Sequence, residues 1–259
     1  MAIITLTTDL GHKDFYLAVL KGSIYTQLPD VQVVDISNEV ADFNIAQAAF
    51  IVKNSYTYFP KRSVHLIGID CDYTSKGRYL AMAYDGHYFI GADNGLFSLF
   101  LDGEPTKMVE IDIRPDNRSQ HFALKDIMAK AACHLANGGL LDSLGKQTQK
   151  MEEKKLLQPV KELSLLKGSV IYIDAYQNAI TNITFSMFNE IRAGRRFQIR
   201  FRRSESVNKI SIHYNDVPEG EKLCMFGISN HLEIAINKGR AASLLGLRLN
   251  EVVAIDFFA

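Results

Sequence analysis

Residues 63–72 read SVHLIGIDCD, a short apolar run that ends in two aspartates. Its length and its aliphatic content predict a buried strand. Two similar runs lie at 2–7 and 31–36, and helix-like segments at 15–25 and 44–58 separate the three runs. Because strands that alternate with helices are typical of an α/β layer, we predict a mostly parallel sheet.

The same part of the chain continues with a predicted hairpin and a predicted helix. Residues 79–84 and 87–91 flank Asp85-Gly86, a dipeptide that favours a tight turn. Residues 123–137 have helical spacing, and the two glycines that follow are expected to end the helix.

The chain changes character after Gly168, where short β-rich segments separated by turn residues replace the alternation. This pattern predicts antiparallel strands, with one helical turn at 240–246. We therefore predict an N-terminal α/β domain over residues 1–160 and a smaller C-terminal antiparallel β domain over residues 168–259.

Composition limits the classes of function. The 259-residue chain has 29 basic and 29 acidic residues, so its formal net charge is zero, and we expect neither nucleic acid nor a membrane as a partner. The N-terminus does not have the pattern of a signal peptide, and no apolar stretch reaches the roughly 18 residues that span a membrane. Three scattered cysteines without CxxC spacing predict neither a disulfide framework nor a structural zinc site, as in a cytoplasmic protein.

Aspartates follow two of the predicted strands. Asp9, with Asp14 nearby, follows the first strand, and Asp70 and Asp72 follow the third. Ligands of open α/β sheets bind beyond the carboxyl ends of strands, so these carboxylates could hold ribose hydroxyls, bind a metal or act as a base. Asp9 could equally be a turn or helix N-cap residue, and Asn94 lies in ADNG, which has the composition of a turn.

The chain has no GxGxxG or GxxxxGK[ST] loop, which argues against a dinucleotide or P-loop site.

Polar side chains recur in the β-rich stretches of the C-terminal domain. Asp174, Asn178 and Asn182 have even spacing, so they would share one face of an uninterrupted strand and could read a planar base edge. We expect Glu233 to be a buried acceptor that needs a partner, such as an amine on a ligand.

Six arginines between 192 and 203 are interleaved with Phe197, Ile199 and Phe201. The spacing favours an amphipathic strand whose aromatic side meets the core and whose arginine side meets water. An RNA-binding strand is the less favoured alternative, because the chain as a whole is neutral.

Seven segments, in order and with the right gaps, resemble the S-adenosylmethionine hydroxide adenosyltransferase family, relatives of the fluorinase and chlorinase enzymes. The resemblance covers essentially the whole chain. The segments are ITLTTDLGHKDFY (4–16), DISNEVADFNIAQAA (35–49), YFPKRSVHLIGID (58–70), FIGADNGLFSLF (89–100), HFALKDIMAKAA (121–132), IDAYQNAITNI (173–183) and SNHLEIAINKG (229–239).

This resemblance implies an α/β domain, a β domain, and a homotrimer that binds its ligand between neighbouring subunits. The implied reaction is hydrolysis of S-adenosyl-L-methionine (SAM) to adenosine and L-methionine, without a cofactor. Water or hydroxide attacks ribose C5′ and the methionine sulfur leaves. Because a sulfonium is a good leaving group, the reaction needs no metal.

The family holds the attacking water with an Asp, an Arg and a His, and this chain matches only the first. Asp70 occupies the Asp position, whereas Gly77 and Ala123 occupy the Arg and His positions. In one interpretation, Arg78 and His121 replace the missing groups. In the other, the chemistry is weakened or lost, and the protein binds SAM or adenosine without turnover, because each lost water-orienting group costs about 10²–10⁴-fold in rate.

The positions that resemble the family's substrate contacts match the family pattern better than the water-holding positions do. Tyr176 stands where the family has Phe beside the adenine, and Asn230 and Asn237 stand where the halogenating relatives use basic residues. Since the Asp70 carboxylate also disfavours an anionic nucleophile, the resemblance favours water over halide. The implied contacts are Asp9, Asp14, Tyr16, Asn94, Asp174, Tyr176, Asn178, Ser229, Asn230, Glu233 and Asn237.

Overall fold

A computed structural model describes residues 2–72, 77–114, 122–202 and 205–258. The chain divides into two compact units, Met1–Leu156 (unit 1) and Leu157–Ala259 (unit 2). Within the described ranges, no helix combines the length and the apolarity needed to cross a membrane.

Unit 1 is a sheet with helices on both faces. Its elements are β1 (Ile3–Thr8), α1 (Tyr16–Gln27), β2 (Gln32–Ser37), α2 (Ile45–Lys53), β3 (Val64–Gly68), β4 (Tyr79–Tyr84), β5 (His87–Ala92), α3 (Leu96–Phe100), β6 (Lys107–Ile111), α4 (Ala129–Ala136) and β7 (Gly145–Gln147). The strand order is β2-β1-β3-β5-β4-β6-β7 among these residues. β1 pairs in parallel with β2 and β3, and β3 with β5, whereas β4, β6 and β7 pair antiparallel. The α/β fold class is confirmed.

The sheet of unit 1 is buried on both faces, which explains the continuous apolar run of β3. Val64 and Leu66 pack on one face with α1 and α4, and Ile67 packs on the other with α2 and α3. Both faces therefore need apolar side chains, as is typical of parallel strands.

Several predicted boundaries in unit 1 are confirmed, and one helix is shorter than predicted. The β4–β5 hairpin forms around Asp85-Gly86, both with positive φ. The helix expected over 44–58 ends at Lys53 and is followed by a separate 3₁₀ turn, Tyr56–Tyr58. The helix expected over 123–137 begins with a π-helical turn at Leu124–Met128, which leads into α4.

Unit 2 is built around an antiparallel sheet. Its elements are β8 (Val160–Lys161), β9 (Leu165–Ile173), β10 (Ala179–Thr184), α5 (Phe185–Arg192), β11 (Arg196–Phe201), β12 (Glu205–Val207), β13 (Lys222–Phe226), β14 (His231–Ile236), α6 (Ala241–Leu245) and β15 (Val252–Phe258). The strand order is β12-β11-β15-β9-β10-β14-β13, and β8 pairs with β9. The predicted antiparallel character is confirmed.

The arginine-rich segment forms β11 and has the amphipathic character that its spacing predicts. Phe197, Ile199 and Phe201 are buried in the core of unit 2. On the opposite side, the Arg200 guanidinium forms an ion pair with Asp256, a residue of the neighbouring strand β15. This side is therefore partly neutralised within unit 2.

Two expectations for unit 2 were wrong. The helix α5 was not expected, because the one helical turn predicted in this part of the chain lies at 240–246, and Thr184 caps α5 by accepting a hydrogen bond from the Met187 N–H. Asp174, Asn178 and Asn182 do not lie on one uninterrupted strand, because a turn separates β9 from β10. Gln177 in that turn has a φ of +64°, so the chain reverses there.

Candidate functional site

In unit 1, the structure brings Asp9 and Asp70 to the same edge of the sheet. β1 and β3 are parallel neighbours, with Thr8 opposite Gly68, so the residues that follow them lie side by side. The Asp9 N–H donates to the Gly68 carbonyl at 3.4 Å. The carboxyl ends of parallel strands are where open sheets bind ligands.

The Asp9 carboxylate is tied to two backbone corners rather than to a helix end. Its Oδ2 accepts from the Phe43 N–H at 3.1 Å and from the Asp70 N–H at 3.5 Å. Both corners have a positive φ, +60° at Phe43 and +45° at Asp70. Residues other than glycine rarely adopt this backbone conformation. Asp9 is therefore not the N-cap of α1, whose N-cap position is held by Phe15.

Phe43 is a site residue that the sequence interpretation missed. The residue is 68% exposed, and its backbone N–H makes the contact with the Asp9 carboxylate. No local pattern marks it, because its approach to Asp9 spans 34 positions of the chain. An exposed aromatic residue whose backbone holds this carboxylate could offer its ring to a planar or apolar part of a ligand.

Asn94 lies at the same edge, after β5, and binds the backbone on the far side of Asp70. Its Nδ2 is 3.0 Å from the Ile69 carbonyl oxygen and 3.2 Å from the Asp70 carbonyl oxygen. Its Oδ1 accepts from the Leu96 N–H at 3.2 Å. The structure thus brings Asp9, Asp70 and Asn94 together at this edge of the sheet.

Carboxylates crowd the thiol that follows Asp70. Burial, and then the charges of Asp9, Asp72 and Asp70, raise the pKa of Cys71 to about 12. The thiol is therefore protonated and unreactive near neutral pH. Three carboxylates around one point produce a negative potential that favours a cationic ligand group.

The Arg78 guanidinium binds groups other than Asp70. Its Nη1 is 3.1 Å from an Asp93 oxygen and its Nε is 3.0 Å from a Glu110 oxygen. Its Nη2 donates to the Lys150 carbonyl at 3.2 Å. Each guanidinium nitrogen thus has a partner, and among the described residues none of these partners is Asp70.

The family's water-holding histidine corresponds to Ala123 in this chain, and His121 is the residue predicted to replace it. Ala123 is buried, with only 4% of its surface exposed. His121 lies outside the described residues, so its assignment stays a prediction.

Asp14 and Tyr16 lie on the surface near the start of α1. Asp14 is exposed, and the Tyr16 ring is 46% exposed. The Tyr16 ring stacks on Phe15 with 4.4 Å between centroids and meets Phe122 edge-on at 5.8 Å. No hydrogen bond connects either residue to Asp9 or Asp70 in the described part of unit 1.

In unit 2, Asp174 and Asn178 close the turn between β9 and β10. The Asp174 carboxylate accepts from the Asn178 N–H at 2.8 Å and from Asn178 Nδ2 at 3.0 Å. Asn178 is buried, whereas Tyr176 at the turn is 78% exposed. The structure therefore presents an exposed ring beside a held carboxylate.

Glu233 is buried on β14 and has a partner within unit 2. The Tyr214 hydroxyl donates to its Oε1 at 2.5 Å. Burial raises the pKa of the Glu233 carboxyl, the Tyr214 hydrogen bond opposes this rise, and the Asp174 charge adds to it. The sequence interpretation missed Tyr214, because 19 positions separate it from Glu233 and no local motif joins them.

The remaining predicted contacts lie at opposite ends of β14. Ser229 and Asn230 form the turn before the strand, where Asn230 has a φ of +59°. Asn237 follows the strand and is nearly buried, and its Nδ2 donates to the Val217 carbonyl at 2.8 Å. The structure therefore does not group Asn237 with Ser229.

The described residues of the chain contain no group of three or more His, Cys, Asp or Glu side chains arranged to hold a metal ion. Their three cysteines, Cys71, Cys133 and Cys224, are free thiols.

Known proteins are similar to the chain over nearly its whole length. The family model of the SAM hydroxide adenosyltransferase N-terminal domain matches residues 4–145, and that of the C-terminal domain matches residues 168–254. An (R)-S-adenosyl-L-methionine hydrolase from Methanocaldococcus jannaschii is 28% identical, over 98% of this chain and 96% of the hydrolase. A fluorinase from Actinopolyspora mzabensis is 24% identical, over 66% of this chain and 68% of the fluorinase. The crystal structure of an uncharacterized conserved protein from Thermotoga maritima has a TM-score of 0.89 at 28% identity, covering 98% of this chain and 99% of that one.

Proposed function

The chain belongs to the SAM hydroxide adenosyltransferase family, and from this premise we propose that it hydrolyses SAM to adenosine and L-methionine. The observation that carries the proposal is the juxtaposition of Asp9 and Asp70 at the carboxyl edge of the unit 1 sheet. One carboxylate is thus available for the ribose and one for the attacking water.

The proposed reaction is an in-line displacement at ribose C5′. A water oxygen forms a bond to C5′ while the C5′–S bond breaks. The electron pair of the C5′–S bond stays on sulfur, which leaves as the neutral thioether of methionine. The water loses one proton, which the Asp70 carboxylate accepts and passes to solvent. Asp70 is exposed, so both the water and the proton can reach it.

Asp9 is the proposed ribose contact in this reaction. Its Oδ2 is engaged by two backbone N–H groups, and its Oδ1 has no hydrogen-bond partner among the described residues. A carboxylate oxygen accepts hydrogen bonds from the vicinal hydroxyls of a ribose. Holding the sugar at a fixed corner would orient C5′ toward a water on Asp70.

The electrostatics of this edge suit SAM better than a halide. Besides burial, the charges of Asp9, Asp72 and Asp70 act together on the Cys71 thiol and raise its pKa. A sulfonium cation is attracted to such a group of carboxylates, whereas a halide ion is repelled.

Unit 2 supplies the remaining proposed contacts. We assign the methionine and nucleoside ends of the substrate to the polar groups around Asp174 and Glu233, together with the exposed rings beside them. The proposed set is Asp174, Tyr176, Asn178, Ser229, Asn230, Glu233 and Asn237, with Asp14 and Tyr16 from unit 1.

A second candidate is a SAM-binding or adenosine-binding protein with weak or absent turnover. The engagement of Arg78 by Asp93 and Glu110 favours it, because the guanidinium already has other partners. The replacement of the family's His by the buried Ala123 acts in the same direction.

One experiment separates the two candidates. The purified protein is incubated with SAM beside an Asp70→Ala control, adenosine and methionine are measured by chromatography, and adenosine binding is measured by calorimetry. The hydrolase predicts equal amounts of both products and their loss in Asp70→Ala. Binding without products would reject the hydrolase and leave the binding protein.

We further propose a homotrimer with its substrate sites at subunit interfaces. The family resemblance suggests this assembly, and the outer face of α1 supports a subunit contact. That face exposes Phe15, Val19 and Tyr25, and Lys21 is the one charged residue of the helix. Exposed large apolar side chains grouped on one surface are typical of a protein contact.

We also propose that the enzyme works in the cytoplasm without a metal or other cofactor. The free thiols of unit 1 and unit 2 suit a reducing compartment. The sulfonium leaving group is already activated, so the proposed displacement requires no Lewis acid.

A further inference from the structure

The backbone at Asp70 is held in an uncommon conformation. Its φ of +45° lies in the left-handed region, which a residue with a side chain occupies only where its surroundings hold it. This conformation directs the residue that the proposed reaction uses, so the contacts that hold it bear directly on catalysis.

Asn94 supplies the contacts on the carbonyl side of this corner. Its Nδ2 has two hydrogens, and both are used, on the carbonyl oxygens of Ile69 and Asp70. Its Oδ1 accepts from the Leu96 N–H at the start of α3. The amide group therefore has one free acceptor position and no free donor for a ligand.

Asp9 supplies the contact on the N–H side of the same corner. Its Oδ2 is 3.5 Å from the Asp70 nitrogen, a long hydrogen bond. The two contacts of Asn94 are shorter, so Asn94 makes the closer side-chain attachment to the backbone around Asp70.

We propose that Asn94 is a positioning residue, which holds the Asp70 backbone for water activation and does not bind the substrate. This inference rests on the proposed function, because the consequence of misplacing Asp70 is a loss of turnover. It also replaces the substrate contact that the family resemblance implied for Asn94.

The first test is Asn94→Asp, which keeps the size and the Oδ1 acceptor but places an oxygen against two carbonyl oxygens. Asn94→Ala removes the same hydrogen bonds without adding a charge. Asn54→Asp is the matched control, because Asn54 Nδ2 also donates to a backbone carbonyl, that of Phe50 at 2.8 Å.

Both Asn94 variants are expected to lower kcat for SAM hydrolysis by about 10²-fold, as small displacements of catalytic groups do. The dissociation constant for adenosine should change by less than about threefold, because the amide makes no ligand contact. Asn54→Asp should leave both quantities unchanged. A loss of adenosine affinity that matches the loss of kcat would overturn the inference.

The second test is a double-mutant cycle with Asp70→Ala. If Asn94 acts through Asp70, Asn94→Ala should cost less than about twofold in the residual turnover of Asp70→Ala, because coupled residues are not additive. An equal loss in the presence and absence of the Asp70 carboxylate would overturn the inference.

A third readout does not depend on turnover. Deuterium uptake of a peptide covering residues 66–72 should rise in Asn94→Ala and stay unchanged in Asn54→Asp. If the wild type made no adenosine, the proposed hydrolase would fail, and faster uptake would still support the attachment of Asn94 to this corner. Unchanged uptake would overturn the attachment whatever the activity.

Discussion

Glu233 is 7% exposed, and the Tyr214 hydroxyl is the hydrogen-bond donor to its carboxyl group within unit 2. Tyr214→Phe keeps the ring but leaves that buried oxygen without the donor, which typically costs about 1–3 kcal/mol. We expect the free energy of unfolding to fall by that amount, as measured by urea denaturation. Tyr58→Phe, at a ring that is 71% exposed, should change it by less than about 0.5 kcal/mol. Equal effects of the two substitutions would contradict the role of this hydrogen bond.

Two buried histidines make the stability of unit 1 depend on pH. His65 Nδ1 is 2.8 Å from Thr5 Oγ1, and His65 Nε2 is 3.2 Å from His87 Nδ1. Burial, and then the charge of His87, lower the pKa of His65 to about 3. Burial, and then the charge of Lys61, lower the pKa of His87, while Asp85 acts the other way.

Because the pKa of His65 is lower in the folded state, the unfolded chain binds more protons between about pH 3 and the ordinary histidine pKa of 6.5. Stability is therefore fully present above pH 6.5 and falls as the pH drops, by up to about 1.4 kcal/mol per pH unit for each such histidine. Urea midpoints measured from pH 7.5 to 5 should show this slope. His65→Phe should reduce it, and His12→Gln, at an exposed histidine, should not. An unchanged slope in His65→Phe would refute this assignment.

At the scale of elements, Arg78 ties the start of β4 to β6 and to the turn after β5. Its partner Asp93 has a side chain that is only 5% exposed. Arg78→Met should lower the free energy of unfolding by about 2 kcal/mol, less than the 3–5 kcal/mol of fully buried pairs, because Arg78 is one-third exposed. Lys61→Met breaks the exposed pair with Asp85 and should cost less than about 1 kcal/mol.

The same variant also tests the role of Arg78 in catalysis. All three guanidinium nitrogens of Arg78 have partners other than Asp70. We therefore expect the folded fraction of Arg78→Met to have a kcat within about threefold of the wild-type value. A loss of 10²-fold or more without a loss of stability would instead place Arg78 at the attacking water.

Local patterns predicted the elements whose signals are local. Strand β3 and the β4–β5 hairpin follow from an apolar run and from Asp85-Gly86. The helix α5 was missed because its eight residues make only about two turns, although Met187, Phe188 and Ile191 meet the core at helical spacing. The carboxylates Asp9 and Asp70 were predicted from their positions directly after apolar strands, where open sheets bind ligands.

Contacts across the chain could not be predicted in this way. The attachment of Asn94 to Asp70 and that of Tyr214 to Glu233 depend on how distant elements pack, and no spacing in the sequence records them. For the same reason, the sequence suggested Arg78 as a replacement for the family's water-holding arginine, whereas packing gives it the partners Asp93 and Glu110.

At the scale of the whole molecule, the proposed homotrimer requires a surface that other subunits cover. Val19→Glu places a charge on the outer face of α1, where Val19 is 40% exposed. If this face is a subunit contact, sedimentation should show a trimer for the wild type and smaller species for Val19→Glu, because burying an unpaired charge is costly. Leu140→Glu, at an exposed residue beyond α4, is the control and should leave the mass unchanged. A trimer that persists in Val19→Glu would exclude this face.

The family membership, the two carboxylates of unit 1 and the polar groups of unit 2 together lead to one central claim: water attacks ribose C5′ of SAM with the help of Asp70. The most direct measurement is turnover of SAM in water enriched in oxygen-18, with the adenosine analysed by mass spectrometry. We predict one oxygen-18 atom in the 5′-hydroxyl of the adenosine, one methionine released per adenosine, and loss of both products in Asp70→Asn. The absence of adenosine, adenosine without the label, or full turnover in Asp70→Asn would contradict the claim.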